Sequence, residues 1–201
     1  MLLNAATRLA KESAATYEIE QLLIRTIDLL TQALDLYYAG IFLLDETGQW
    51  AVLKAGSGEA GQAMLSEGHK LAVGGNSLVG QAISKREAQH IQDTDQSTLR
   101  FRNPRLPAVK SELALPLACG DEIFGALTLQ SDEKAAFNSE ETPALQGVAD
   151  QVALALQNER LSVPLAEERI RLAEAEKRAG TGLHSHFEAL FWKALEMGLL
   201  A

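Results

Sequence analysis

The chain has 201 residues, 47% of them apolar, which suits one α/β or α+β domain of about 150 residues with appended helices rather than two full domains. Eighteen Lys and Arg against 27 Asp and Glu give a net charge of −9, and a surface this acidic repels phosphate backbones, which argues against a nucleic-acid partner. The apolar run Leu113–Cys119 has seven residues with Pro116 inside it, far short of the roughly 20 that span a bilayer, and the single Cys119 excludes an internal disulfide.

Met1-Leu2-Leu3-Asn4 lacks the basic start and long apolar stretch of a secretory signal, so a cytoplasmic location is expected. From Ala5 to Leu36 there is neither Pro nor Gly. Leu9, Ile19, Leu22, Leu23, Leu29, Leu30 and Leu34 recur at helical spacing, which predicts one or two amphipathic helices. Tyr37 to Asp45 reads as a buried strand, and Asp45-Glu46-Thr47-Gly48 turns it into a hairpin partner at Trp50 to Ala55. A helix around Glu59 to Ser66 and a strand at His69 to Val73 follow. Ser77 is placed to cap a short helix carrying Leu78, Val79, Ala82 and Ile83 and ending near Lys85. After a brief strand at Ala88 to Gln92 comes the longest irregular segment, Asp93 to Lys110, of a length that is usually functional or mobile. Ser111 to Cys119 and Glu122 to Ser131 form the clearest hairpin, around Gly120-Asp121. Asn138 or Ser139 then caps a helix whose stripe of Leu145, Val148, Val152 and Leu156 runs to about Leu161. Pro164 should stop or kink that helix. A charged helix from Leu165 to Ala179 and a last one from Leu183 to Leu200 complete the chain. Two strands, a helical excursion, further strands and a closing helix make an α+β fold, an antiparallel sheet with helices on its faces.

Particular residues in that order resemble the GAF domain family of small-molecule-sensing modules. They are YYAGIFLLDETGQW at 37–50, SLVGQAISKRE at 77–87, QHIQDT at 89–94 and, most specifically, 109–161, from VKSELALPLACGDEIFGALTLQ to the closing VADQVALALQNERL. The resemblance implies a GAF-like antiparallel sheet with helices on both faces and long N- and C-terminal helical extensions. It divides the chain into an N-terminal arm at 1–36, a GAF-like core at 37–161 and a C-terminal extension at 162–201. It also implies a ligand cavity between the sheet and a cap made by residues 56–110, walled by Trp50, Leu78, Val79, Ile83, His90, Asp93, Phe101 and Ser111.

Each candidate has a functional reading beside a plainer one. Arg100, Arg102 and Arg105 cluster in the long loop, where planar guanidinium forks suit a phosphate or carboxylate, or simply make a solvated loop tip. His90 is a haem or metal ligand or an ordinary strand histidine. Asp93 and Asp95 hold a cation or, as favoured here, cap loop N–H groups. Gly74-Gly75-Asn76 is a phosphate cradle or a tight turn, the turn being favoured. Glu112 alternates onto the face opposite Leu113, Leu115 and Leu117 and is read as a solvent-facing strand residue, with a polar pocket or loop anchor as the alternative. Gly125 marks either a close strand approach or a bulge, and Pro116 an edge or a bulge.

Catalytic machinery is not visible. One cysteine is too few for the thiol relay of the family's methionine-sulfoxide-reducing enzymes, and no cysteine sits in the cap to hold a bilin covalently. No structural metal is expected. The aliphatic stripes at 9–34 and 145–161 are expected to pair in a homodimer. The resulting expectation is a non-catalytic sensor that binds a small molecule and signals through dimeric helices to an output domain or protein. A ligand-free structural dimerisation module and a non-covalent haem or bilin sensor using His90 are the alternatives. The sequence identifies no cofactor.

Overall fold

The computed structural model describes residues 2–97, 102–161 and 171, with side chains from residue 18 onward. The chain divides into two compact units, Met1–Glu159 and Arg160–Ala201. Arg100, Phe101, the break expected at Pro164 and, apart from Arg171, both expected helices beyond it lie outside the described residues.

The elements run α1 (Leu2–Ala33), β1 (Tyr38–Leu44), β2 (Trp50–Gly56), α2 (Gly58–Ser66), β3 (Lys70–Ala72), α3 (Leu78–Lys85), β4 (Gln89–Ile91), β5 (Ser111–Cys119) and β6 (Glu122–Ser131), with a closing helix α4 over 142–161. Every strand pair is antiparallel and the sheet order is β3-β2-β1-β6-β5-β4. The α+β fold read from the sequence is the one observed.

Pleating divides the sheet's side chains between two cores. On one face Leu113, Leu115, Leu117, Leu127 and Leu129 meet Leu23, Ile27 and Leu30 of α1 and Leu145, Ala149, Val152 and Leu156 of α4. On the other, Phe42, Leu53, Ala114 and Ala126 meet Met64 of α2 and Leu78, Val79 and Ile83 of α3. On the second face β5 and β6 present Ala114 and Ala126 where the first face has leucines.

α1 stops at Ala33, earlier than the aliphatic spacing suggests. Asp35 takes a left-handed conformation (φ 49°), and the Leu36 N–H reaches back to the Thr31 carbonyl at 3.1 Å. That is a Schellman end built without glycine. Pro116 is tolerated inside β5 because its backbone faces an open edge. β4 covers only Glu112 to Ala114, and the Pro116 carbonyl accepts from Gln146 Nε2 at 3.0 Å instead of from a strand. Nitrogen and carbonyl of one strand residue point the same way, so the missing N–H costs no ladder bond. At Gly125 the close approach is real, and a register irregularity sits beside it between Leu117 and Ala118.

The Ser77 cap forms at the expected place, and Asn138 organises the turn that leads into α4. Ser77 Oγ accepts from the Gly80 N–H at 3.1 Å, and Asn138 Oδ1 accepts from the Glu140 and Glu141 N–H groups at 3.0 and 2.8 Å. Asn138→Ala leaves those donors to water and is expected to cost about 1 kcal/mol, read as a lower urea midpoint at unchanged slope.

Candidate functional site

A cavity of about 100 Å³ lies on the second face, between the sheet and the segment from α2 to Val109. Its floor is a cross-strand row. Tyr38 of β1, Gln130 of β6 and Glu112 of β5 stand directly opposite one another in register, with Ile91 of β4 beyond Glu112. Thr128 and Phe42 flank that row, and Met64, His69, Leu71, Val79, Thr94, Arg102, Asn103 and Leu106 form the walls and roof. Asn103 Nδ2 lies 2.9 Å from Met64 Sδ, joining the roof loop to α2.

Glu112 is enclosed by protein, and its remaining exposure is to the cavity. The reading of it as solvent-facing is therefore overturned: the face opposite the leucines is covered, not wet. Oε1 accepts from Thr128 Oγ1 at 3.0 Å, and Gln130 also hydrogen-bonds the carboxyl. Loss of water dominates even so, and burial pushes the Glu112 carboxyl above the usual carboxylate range.

Tyr38 is 2% exposed, and its hydroxyl is one of three buried polar side-chain atoms without a hydrogen-bond partner among the described residues. Burial first, and the charge of Glu112 second, push the Tyr38 phenol well up. The ring fits because β1 and β2 supply glycines beneath it. A Cβ on Gly40 would sit 2.6 Å from the Tyr38 hydroxyl, and one on Gly56 2.9 Å from it. His69 stands edge-on to Phe42, with ring centres 6.0 Å apart. Burial lowers its pKa, so the imidazole entering the cavity is neutral at pH 7.

Pleat parity decides where several expected site residues go. His90 is opposite Leu113 and Ser111 is opposite Ser131, so both point to the leucine face, away from the cavity. His90 is exposed there, and Ser111 Oγ donates to the Glu133 carbonyl at 2.6 Å as a loop anchor. Trp50 precedes the inward-facing Ala51 and lies half-exposed beneath Lys70 Nζ, 4.5 Å from its ring centre. Leu78 and Ile83 are buried in the second core without lining the cavity, whereas Val79 lines it. Asp93 accepts from the Asp95 N–H (3.0 Å), Gln96 Nε2 (2.9 Å) and Lys134 Nζ (2.9 Å), which makes it a loop cap.

The arginine cluster is divided. Arg102 lines the cavity mouth, but its guanidinium donates to the Thr94 carbonyl and Asp95 Oδ1, at 3.1 and 3.2 Å. Arg105 makes a two-point pair with Glu67. Arg102 and Arg105 thus already have carboxylate partners. The Gly74-Gly75 turn is similarly closed. Its N–H groups bond the Gly80 and Ala72 carbonyls, leaving no phosphate cradle.

Tyr38, Thr128, Gln130 and His69 are not among the residues expected at the site, and Glu112 enters it only as the alternative to a solvent-facing reading. The signal that finds them is period-two spacing. Glu112, Thr128 and Gln130 share a face with Ala114 and Ala126, a polar and small-residue face that becomes a pocket once it is covered.

The family model described as a GAF domain matches residues 16–157. No curated protein matches the chain. Among solved structures it is similar to the GAF domain of a phosphoenolpyruvate-protein phosphotransferase from Coxiella burnetii, at 23% identity over 79% of this chain and 98% of that one, TM-score 0.64. It is also similar to a type II free methionine-R-sulfoxide reductase from Thermoplasma acidophilum, at 20% identity over 72% and 96% of the two chains, TM-score 0.62. The second GAF domain of DevS from Mycobacterium smegmatis aligns at 18% identity over 77% and 99%, TM-score 0.53. Among the described residues no helix is long and apolar enough to cross a membrane, and no cluster of three or more metal-ligating side chains occurs.

Proposed function

The chain belongs to the GAF domain family, a family of sensory and regulatory modules in which some structural neighbours are enzymes, and from that premise we propose that it is a non-catalytic sensor. A small molecule enters the cavity over Glu112, and the event passes through the terminal helices, paired with those of a second copy, to an output domain or protein. The observation carrying this reading is the cavity itself. A buried carboxyl and an unpartnered phenolic hydroxyl in one row are costly to folding. Sites kept at the expense of stability are where function is expected.

Transmission needs a ligand that binds two helix arrangements unequally. Tyr38 and Gln130 of the cavity floor sit on β1 and β6, the strands whose other face carries the leucines against α1 and α4. The outer faces of those helices supply the pairing surface. Leu22 and Leu29 lie seven residues apart on α1, with Leu29 68% exposed, and Leu154 is exposed on α4. Leu29→Glu is expected to weaken self-association at least tenfold in sedimentation velocity while leaving the far-ultraviolet circular dichroism of the folded protomer unchanged. A variant that stays fully dimeric would remove α1 from the interface.

The reductase similarity favours shared fold rather than shared chemistry. Cys119 packs on the leucine face, with Sγ 3.0 Å from Gln157 Oε1, on the side of the sheet opposite the cavity. A lone thiol placed there does not reach a substrate over Glu112. Bound haem or bilin is disfavoured too, since a cavity of about 100 Å³ is below the roughly 300 Å³ at which drug-sized sites begin. The ligand-free structural reading requires a cavity filled by its own side chains, and this one is open.

A further inference from the structure

We propose that the ligand is a small aliphatic ammonium compound, bound with its charged nitrogen against the Glu112 carboxylate and its hydrocarbon against Phe42, Met64, Leu71 and Val79. This names the ligand class of the cavity and rests on the sensing role proposed for it.

Hydrogen bonding fixes Glu112 as an acceptor. Thr128 Oγ1 donates to Oε1, and the Gln130 bond favours the ionised form as the Thr128 bond does. Donors placed on a carboxyl prepare it to be a carboxylate. Among the described residues its counter-charge is missing. The other titratable or charged groups facing the cavity are Tyr38 from β1, His69 ahead of β3 and Arg102 from the roof loop. Tyr38 is a neutral phenol, burial keeps His69 uncharged at pH 7, and the Arg102 side chain is 68% exposed and bonded to Asp95. Among the described residues, then, a dry carboxyl carries two donors and no cation. A protonated amine supplies the missing partner, as buried charges require. A neutral ligand leaves the carboxyl unpaired, and an anionic one opposes it.

Size limits the rest of the molecule. A cavity of about 150 Å³ holds a benzene-sized guest of six heavy atoms. By proportion, about 100 Å³ takes roughly four. The apolar walls exclude further charge on that tail. Burial raises the Glu112 pKa in the empty pocket and an ammonium ion beside the carboxylate lowers it again, so any fraction of Glu112 that is a carboxylic acid before binding gives its H⁺ to solvent when the carboxylate–ammonium pair forms.

The probes are n-propylammonium chloride and its neutral isostere propan-1-ol, with potassium chloride matching ionic strength. Calorimetry at pH 7 in two non-amine buffers of different ionisation enthalpy reads both affinity and proton release. The expected result is saturable propylammonium binding with up to one proton released, at least tenfold weaker binding of propan-1-ol, and at least tenfold weaker propylammonium binding by Glu112→Gln. The melting temperature of Glu112→Gln, expected to rise, separates lost binding from lost fold. Propan-1-ol binding as tightly, or Glu112→Gln binding propylammonium as well as the parent, overturns the ammonium assignment while leaving the pocket as a site. Absence of binding by either probe overturns it too. The sensing role stands or falls separately, on whether purified protein carries any bound small molecule.

Discussion

Gly125→Ala is expected to lower stability by about 3 kcal/mol or more, which at this chain length is a fall in melting temperature of roughly 6–12 °C. A Cβ there would run into the Phe42 carbonyl oxygen and lie 2.9 Å from Leu43 Cα. Both are backbone atoms of β1, the strand that carries Tyr38 and Phe42 into the cavity floor. No rotamer change relieves the contact, so β1 and β6 must part, and the Tyr38–Gln130–Glu112 row parts with them. Gly147 is the matching control. It lies in α4, where an added Cβ would have nothing within 4 Å of it, and Gly147→Ala is expected to gain about 0.5–1 kcal/mol from helix propensity. Thermal melts of the two variants beside the parent separate glycine required by strand approach from glycine merely tolerated. Similar small effects at both positions would contradict the tight β1–β6 contact.

Glu112→Gln is expected to stabilise the fold at pH 7, read as a higher urea midpoint than the parent's. Burial raises the folded-state pKa of Glu112 above its unfolded value. The unfolded chain therefore ionises first as pH rises. Relative stability from this group is fully present below the unfolded pKa and is lost as pH climbs through the folded one. Glutamine keeps an oxygen for Thr128 and has no charge to desolvate. The difference between variant and parent should thus vanish near pH 4 and grow toward neutrality. Asp45 and Asp93 contribute the opposite slope. Burial of Asp45 is outweighed by bonds from Trp50, Thr47, Gln49 and Gly48, and the Lys134 hydrogen bond leads in holding Asp93 down. Both groups lose stability as pH falls, but they do so equally in the two proteins. Urea denaturation from pH 4 to 8 isolates the Glu112 contribution. A difference independent of pH would mean that this carboxyl is not desolvated.

The framework was legible because its signals are local. Ser111–Cys119 and Glu122–Ser131 alternate around a Gly-Asp turn, and those are the bounds of β5 and β6. Ser77 and Asn138 announced their helices by cap chemistry alone. The site was less legible because it depends on which face is covered. Alternation placed Glu112 opposite the leucines but did not say whether water or α2 and α3 lay beyond. The same parity sends His90, Ser111 and Trp50 away from the cavity, although His90 and Ser111 flank strand residues that do face it, Ile91 and Glu112. Register between β4 and β5 is a long-range property, set by a connection of 19 residues that carries no periodicity of its own. Tyr38 went unread for a similar reason: its place over Gly40 and Gly56 exists only once β1 and β2 pair.

Native mass spectrometry of the protein purified from its own source, set beside the denatured mass of the chain, tests the central claim most directly. The expected species is a dimer carrying additional non-covalent mass, one small molecule per protomer, which Glu112→Gln purified in parallel lacks. A bare chain mass, monomeric at micromolar concentration, would contradict both the sensing pocket and the paired helices.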